Sequence, residues 1–512
     1  MKKILVSPLI MLFIAFFTFT GCDQKEKVHK ETDERSEVKN LNLENLANAG
    51  KPRNVIFVLS DDHRYDFMGF TGKVPWLKTP AMDKMAEEGV HLQNAFVTTS
   101  LCSPSRASIL TGMYSHAHTV VDNQAPVPAD LVFFPEYLQA AGYETSFFGK
   151  WHMGHGDDNP RPGFDHWESF KGQGNYYKPS LNINGERFEY DEETYVTDLL
   201  TEHAIEWMKN RKNDKPFFLY LSHKAVHALF RPAYRHEGMY AEEDVVYPPS
   251  YNLTVSDEYK KHEIPEWVKQ QRNSWHGVDD MYHGQHNFES FFKAYCESLA
   301  ALDESLDDVI EFVENSDFMD NTVVIYMGDN GFSFGEHGLI DKRQAYEESW
   351  RVPLLAWSPG MIPAGSKVDE LVQNIDIAPT VLELAGLAAP EYMPGRSFVP
   401  LVKGEKVGEW RDKIFYEYYW EFAYPQTPTV HAVRTDKYKF IRYHGIWDAN
   451  ELYDLENDPW EMNNLIRSPE HQEIIQEMLD DLWTWLEETG GMQIPLKRTM
   501  HKKIDNRFKG YY

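Results

Sequence analysis

Three cysteines in 512 residues are too few for a disulfide framework, which leaves stability to the core and to a metal. Basic residues are also scarce: 51 Lys and Arg stand against 80 Asp and Glu, a formal net charge of −29. A nucleic-acid binder would carry a basic footprint, so the balance argues against that class. An anionic substrate must therefore be drawn by a local positive pocket working against the overall field. There is no internal repeat. What is abundant is aromatic: 14 Trp, 28 Tyr and 30 Phe, with 26% charged residues. That composition is globular, and the length fits one large domain plus a smaller one.

Near the start, Lys2-Lys3 precedes an apolar run from Ile4 to Thr20, too short and too N-terminal for a membrane span and suited to a secretory signal. It ends in Phe19-Thr20-Gly21-Cys22, which resembles a bacterial lipoprotein cleavage site with Phe19 in place of the usual leucine. The resemblance implies that residues 1–21 are a signal peptide and that Cys22 is lipidated. The chain is then expected in the cell envelope, anchored at the outer membrane or cell surface, with plain cleavage near Gly21 and a periplasmic location as the alternative. Residues 22–50, polar and without apolar periodicity, read as a flexible tether.

Apolar strands alternate with helical patterns from residue 51 on. This predicts an α/β domain over 51–395, a large, mixed, mostly parallel sheet sandwiched by helices. Four strands end in chemistry. Asn54–Leu59 delivers Ser60-Asp61-Asp62, and Thr145–Phe148 delivers Gly149-Lys150-Trp151-His152. Pro216–Leu221 is followed by His223 and His227, and Thr322–Met327 by Gly328-Asp329-Asn330-Gly331. In open α/β sheets ligands bind outside the carboxyl ends of the strands. Asp61, Asp62, Asp329 and Asn330 are hard oxygen ligands, which select Ca²⁺ or Mg²⁺ over zinc. Adjacent Asp61 and Asp62 repel one another unless a cation lies between them. Lys150, His152, His227 and Lys342, with Arg106, form the cationic and titratable set that a tetrahedral anion and a leaving alkoxide require. His223 and His337 read as structural. Cys296 sits among Phe292, Leu299, Leu302 and Leu306 at helical spacing and reads as core.

The most informative run is Leu101-Cys102-Ser103-Pro104-Ser105-Arg106, continuing to Gly112. It predicts a loop entering a short helix, with Ser103 as cap, Pro104 at the first helical position and Gly112 as the stop. The thiol then lies beside a helix N-terminus, where backbone N–H groups attract an anion.

The pattern Cys-x-Pro-x-Arg, with Leu-Thr-Gly behind it, resembles the formylglycine sulfatases of the alkaline phosphatase superfamily. The Asp-Asp pair, Gly149-Lys-Trp-His152, Lys224-Ala-Val-His-Ala228, Gly328-Asp-Asn-Gly331 and Lys342 match in the same chain order. Gly335–Leu339 and Arg351–Leu354 look like family sequence too. Val226 departs from the proline many members carry before the histidine. The resemblance spans roughly residues 52–465. It implies that a formylglycine-generating maturation enzyme converts Cys102 to 3-oxoalanine, whose hydrate attacks sulfur. One Ca²⁺, ahead of Mg²⁺, would be held by Asp61, Asp62, Asp329, Asn330 and residue 102. Lys150, Lys342 and His227 would hold the sulfate, His227 would protonate the leaving oxygen, and His152 would take the second hydroxyl's proton. The block from Ser222 to His236 looks closest to the N-acetylglucosamine-6-sulfatase-like branch, beside sulfatases of algal ulvan.

After Ser397 the sequence predicts antiparallel strands at 414–420, 430–434, 438–443 and 451–455, then a helix from Pro469 to Glu488: a smaller α+β subdomain over 396–512. By the resemblance it leans over the cleft, and Tyr419 and Arg434 are the expected substrate contacts. The basic segment Lys497–Lys509 reads as a charged tail. The expected activity is sulfate-ester hydrolysis on a sulfated glycan, a glycosaminoglycan or an algal polysaccharide. A phosphate or phosphonate ester hydrolase of the same superfamily and a non-catalytic glycan-binding lipoprotein are the alternatives.

Overall fold

The computed structural model describes residues 41–495, apart from 48–49, 155, 213, 257–260, 423, 446–449 and 494. The signal peptide, Cys22, most of the tether and the basic tail lie outside the described residues. The described residues belong to one compact unit.

Ten strands make the main sheet: β1 (Asn54–Ser60), β2 (Val90–Leu92), β3 (Glu144–Lys150), β4 (His166–Phe170), β5 (Ser180–Ile183), β6 (Glu186–Glu189), β7 (Phe217–Ser222), β8 (Thr322–Gly328), β9 (Leu354–Trp357) and β10 (Ser366–Val368). Their order is β10-β2-β9-β8-β1-β7-β3-β4-β5-β6. The five from β8 to β4 run parallel, and antiparallel pairs flank them on both sides. β1 is buried along its whole length, and its side chains alternate between two cores. Val55, Phe57 and Leu59 pack with the helix α1 (Cys102–Thr111), while Ile56 and Val58 pack with α2 (Val196–Asn210) and α3 (Phe288–Glu314). Helices thus cover both faces, as a parallel sheet requires. Cys296 is fully buried in α3, as its spacing predicts. Asn287 caps that helix, accepting from the N–H groups of Glu289 and Ser290.

A second sheet of four antiparallel strands follows: β11 (Lys413–Tyr418), β12 (Thr429–Thr435), β13 (Tyr438–His444) and β14 (Glu451–Asp454), in that order. The helix α4 (Gln472–Thr489) lays Met478, Leu482, Trp485 and Leu486 on Val433, Phe440 and Leu452 of this sheet. Buried polar pairs tie the small sheet to the rest. Arg434 forks onto Glu347, Glu417 meets His116, and Glu421 meets Arg343.

Candidate active site

The four strands that end in chemistry are immediate neighbours, β8-β1-β7-β3, and all parallel, so their carboxyl ends share one edge. The loops beyond are stitched together by the backbone. Asp61 N–H donates to Ala225, Val226 N–H to Asp61, and Asp329 N–H to Ser60. Gly149 fits here because a Cβ would lie 2.0 Å from the Ser222 carbonyl oxygen. Asp62 and His152 both hold positive φ, at 56° and 55°, as do Asp341 and Arg343 on either side of Lys342. Such outliers concentrate where neighbouring structure dictates side-chain aim.

α1 begins two residues earlier than its sequence suggests. Leu101 is the extended N-cap, Cys102 the first helical residue, and Pro104 the third. The first turn's N–H groups have no helical acceptor in any case, so proline at the third position removes no bond. Ser103 is therefore not the cap; its hydroxyl donates to the His152 carbonyl. Gly112 ends the helix at φ 67° as expected.

Around Cys102 the expected groups converge. Its Sγ lies 3.5 Å from Asp61 Oδ1 and 3.3 Å from Lys342 Nζ. Lys150 is ion-paired with Asp61, and Lys342 with Asp62. Arg106 Nε donates to Asp329 Oδ2 at 2.9 Å, and its Nη1 donates to the Lys150 carbonyl and to Ser222 Oγ. Asp62 N–H donates to Asp329 Oδ1, and Asn330 Nδ2 to Asp62 Oδ1 at 2.7 Å. His227 donates from Nδ1 to the Ala228 carbonyl, which turns Nε2 toward Asp62 Oδ2 at 3.9 Å. His223 is tied to Ser305 and His337 stacks on Tyr346, both in the interior.

Burial governs the electrostatics. It pushes the Asp62 carboxyl up to about 7, with Asp61 and Asp329 adding to the rise against Lys342. Asp329 is also raised, first by burial and then by Asp61. At Asp61 burial pushes up, but Lys150, His227 and Arg106 outweigh it and hold the carboxyl well below its usual range. Burial, with the Asp61 charge, pushes the Cys102 thiol up, so it is no thiolate near neutrality. Burial and then Lys150 push both His152 and His227 well below the ordinary imidazole value.

The donor set fits a divalent cation. Asp61, Asp62 and Asp329 offer oxygens within 4.8 Å of one another, all buried. Asp62 Oδ2 and Asn330 Oδ1 are buried without a hydrogen-bond partner. Carboxylates crowded this way are relieved by a cation at their centre.

Tyr419 and Arg434, the expected substrate contacts, are both engaged by carboxylates of the protein. Tyr419 is buried and donates to Glu417; Arg434 is buried on Glu347. Neither makes a hydrogen bond or ion pair with the cluster. The C-terminal residues that do approach it are Glu421, bonded to Arg343, and Tyr424, whose ring lies 3.8 Å beneath that guanidinium. Ser222 and Lys224, which stand in matching blocks of the sequence with no role of their own, also lie at this edge. Their place, Ser222 as the last residue of β7 and Lys224 just beyond it, was the available signal.

A sulfatase family model matches residues 53–387, and a model of the N-sulphoglucosamine sulphohydrolase C-terminal region matches 335–488. An N-acetylglucosamine-6-O-sulfatase of Bacteroides thetaiotaomicron is 32% identical over 503 residues, covering 86% of this chain and 88% of the relative. An ulvan-active sulfatase of Formosa agariphila is 26% identical over 492 residues, covering 93% and 86%. A solved structure in complex with its substrate, D-glucosamine-2-N,6-O-disulfate, superimposes at a TM-score of 0.76 with 30% identity, over 88% of this chain and 100% of that one. With the alkaline phosphatase-like sheet and the acidic, lysine-lined edge already in place, these matches make the chain a member of the sulfatase family, a hydrolase of sulfate esters.

Proposed function

We propose that this chain removes the 6-O-sulfate of glucosamine residues in a glycosaminoglycan-type glycan, with Cys102, converted to formylglycine, as nucleophile. The observation that carries the reading is the position of Cys102 itself. A buried, protonated thiol at a helix N-terminus, between Asp61 and Lys342, is a poor nucleophile as it stands, whereas a hydrated aldehyde there presents a hydroxyl to an incoming sulfur. The glycan assignment is supported by the 6-O-sulfatase relative and by the disulfated glucosamine bound in the similar structure.

Asp61, Asp62, Asp329 and Asn330, with the oxygen at position 102, would hold one Ca²⁺. When bound, this ion neutralises developing oxygen charge. Arg106 clamps Asp329 and orients the strand ends. Lys150 and Lys342 hold the sulfate oxygens. His227, its Nε2 facing the cluster, gives a proton to the departing sugar oxygen as the sulfur–oxygen bond breaks; the anionic ester favours the imidazolium against burial and Lys150. His152 then takes the proton of the second hydroxyl as the carbon–oxygen bond to the sulfate breaks, which expels sulfate and regenerates the aldehyde.

A formylglycine-generating enzyme is the maturation partner this reading requires. Cys22 would carry a lipid anchor in the bacterial cell envelope, supported by the apolar run and Gly21-Cys22. Mass spectrometry of the peptide containing Cys102, from a maturation-competent host, tests the nucleophile. Activity should scale with the converted fraction, and full activity with an intact cysteine would overturn it. Chelation should abolish turnover and lower the melting temperature, with Ca²⁺ restoring both. Sulfate release from a panel of glycosaminoglycan and ulvan oligosaccharides tests the glycan. Turnover confined to ulvan fragments would move the substrate, and turnover confined to phosphate esters would reject the reading.

A further inference from the structure

The cluster has a floor and a mouth. Asp61, Cys102, Lys150, Asp329 and Asn330 are all 0% exposed, while His227 and His152 reach 8–9%. The floor's three cations each face a carboxylate: Lys150 with Asp61, Lys342 with Asp62, and Arg106 with Asp329. A fourth cation stands with the histidines. Lys224 is 5% exposed, its carbonyl accepts the N–H of His227, and its ammonium lies 4.7 Å above the ring of Tyr176. Tyr176 in turn donates its hydroxyl to the His227 carbonyl at 2.8 Å. Among the described residues, no carboxylate lies within ion-pair distance of Lys224. A nearly buried ammonium without a counter-ion is costly, and a structure retains one where a ligand supplies the opposite charge.

We infer that Lys224 binds a second sulfate, the N-sulfate, on the glucosamine that carries the scissile ester. This rests on the glycan-sulfatase reading and narrows it. The transferred sulfate belongs at the floor, among the oxygen ligands and the paired lysines. The sugar leaves past His227, at the mouth. A cation on the His227 turn therefore meets the body of the sugar and not the sulfur. The aromatic face beneath the ammonium fixes its height and favours its charged form. Burial and then Lys150 pull its pKa down to about 7, opposed by Asp61, Asp62 and Cys102, so a bound anion also restores its charge at neutrality.

The test compares three substrates on the mature enzyme: 4-nitrophenyl sulfate, N-acetylglucosamine 6-sulfate with one anionic group, and N-sulfoglucosamine 6-sulfate with two. Wild type should favour the doubly anionic sugar. Lys224→Met should lose about 10–100-fold in kcat/KM on it, mainly through KM, as expected for one charged contact. That loss should exceed the loss on the singly anionic sugar by about tenfold. Lys224→Arg should recover most of the preference, and Lys224→Gln, which keeps a polar head, should behave as Lys224→Met. Equal losses on both sugars, or no preference in wild type, would overturn the role of Lys224 and leave the glycan reading standing. Hydrolysis of the aryl sulfate with no turnover of either sugar would overturn the glycan reading, and the role of Lys224 with it. Thermal melts of each variant separate binding loss from unfolding.

Discussion

Asp62 at the strand edge and Glu347 beside the small sheet are both buried carboxylates in dense charge networks, yet their environments push them in opposite directions. Glu347 has three cations around it: Arg434 at 2.9 Å, Lys439 at 2.8 Å and Arg351 at 3.7 Å. Burial pushes its carboxyl up, but Arg434 and Lys439 overcome that and hold it well below the usual range. Asp62 has one cation, Lys342, against Asp61, Asp329 and Asp341, and burial takes it to about 7. Glu347 itself is compensated by the protein's own cations and joins two parts of the fold. The network at the strand edge leaves Asp62 and Asp329 raised despite Lys342 and Arg106, and leaves Asp62 Oδ2 and Asn330 Oδ1 without partners, as suits a site that takes a further cation. A buried ion pair is thus not in itself a sign of function; the sum of charges around each carboxylate is.

Four changes would break or sharpen that contrast. Cys102→Ser should lower turnover by about 10⁴-fold or more, as loss of a nucleophile does, with the melting temperature unchanged. Parallel loss of fold would make the thiol structural. His227→Ala should cost about 10²–10⁴-fold on sugar sulfates and much less on 4-nitrophenyl sulfate, whose phenolate leaves without a proton. Equal losses on the two substrates would remove His227 from the acid role.

At the other network the same kind of change should act on stability instead. Arg434→Leu leaves Glu347 less compensated and should destabilise by about 3–5 kcal/mol, read from denaturant melts, with KM for the glycan unaltered. A raised KM at unchanged stability would return Arg434 to the substrate. The smallest effect concerns His116 and Glu417, 2.8 Å apart. Burial pushes His116 down, but the Glu417 charge and hydrogen bond outweigh it and raise its pKa; burial pushes Glu417 up, but His116 holds it low. The raised histidine stabilises fully below its unfolded value and loses this as pH rises through its folded one. The lowered glutamate stabilises fully above its unfolded value and loses this as pH falls. The stability gap between wild type and Glu417→Gln, about 1.5–3 kcal/mol for a charged hydrogen bond, should therefore be widest between roughly pH 4.3 and 6.5. It should narrow on either side; a gap independent of pH would mean that the pair is uncharged.

Much of this was legible in the chain. The four apolar runs that became β1, β3, β7 and β8 end where the sequence changes from branched and aromatic residues to acids, lysines and histidines. That change of chemistry marks the exit from a buried sheet wherever the strands sit. The helix after Cys102, the core position of Cys296, the small antiparallel sheet and the helix upon it follow from period and punctuation alone. Local pattern did not decide the start of α1, because Ser103 prefers a bond to the His152 carbonyl over a capping bond. Nor did it place Tyr419 and Arg434. Their distance in sequence from Glu417 and Glu347 is small or large without relation to their pairing in space.

The sequence by itself determined the inventory: which oxygens, ammonium groups and imidazoles stand at strand ends, and that the adjacent carboxylates of Asp61 and Asp62 repel one another. Tertiary structure alone decided that the four strands are neighbours, which makes the inventory a site. It also decided which cations are used up by carboxylates and which, like Lys224, are not. Charge compensation depends on distances across the sheet, and periodicity along one chain carries no information about those.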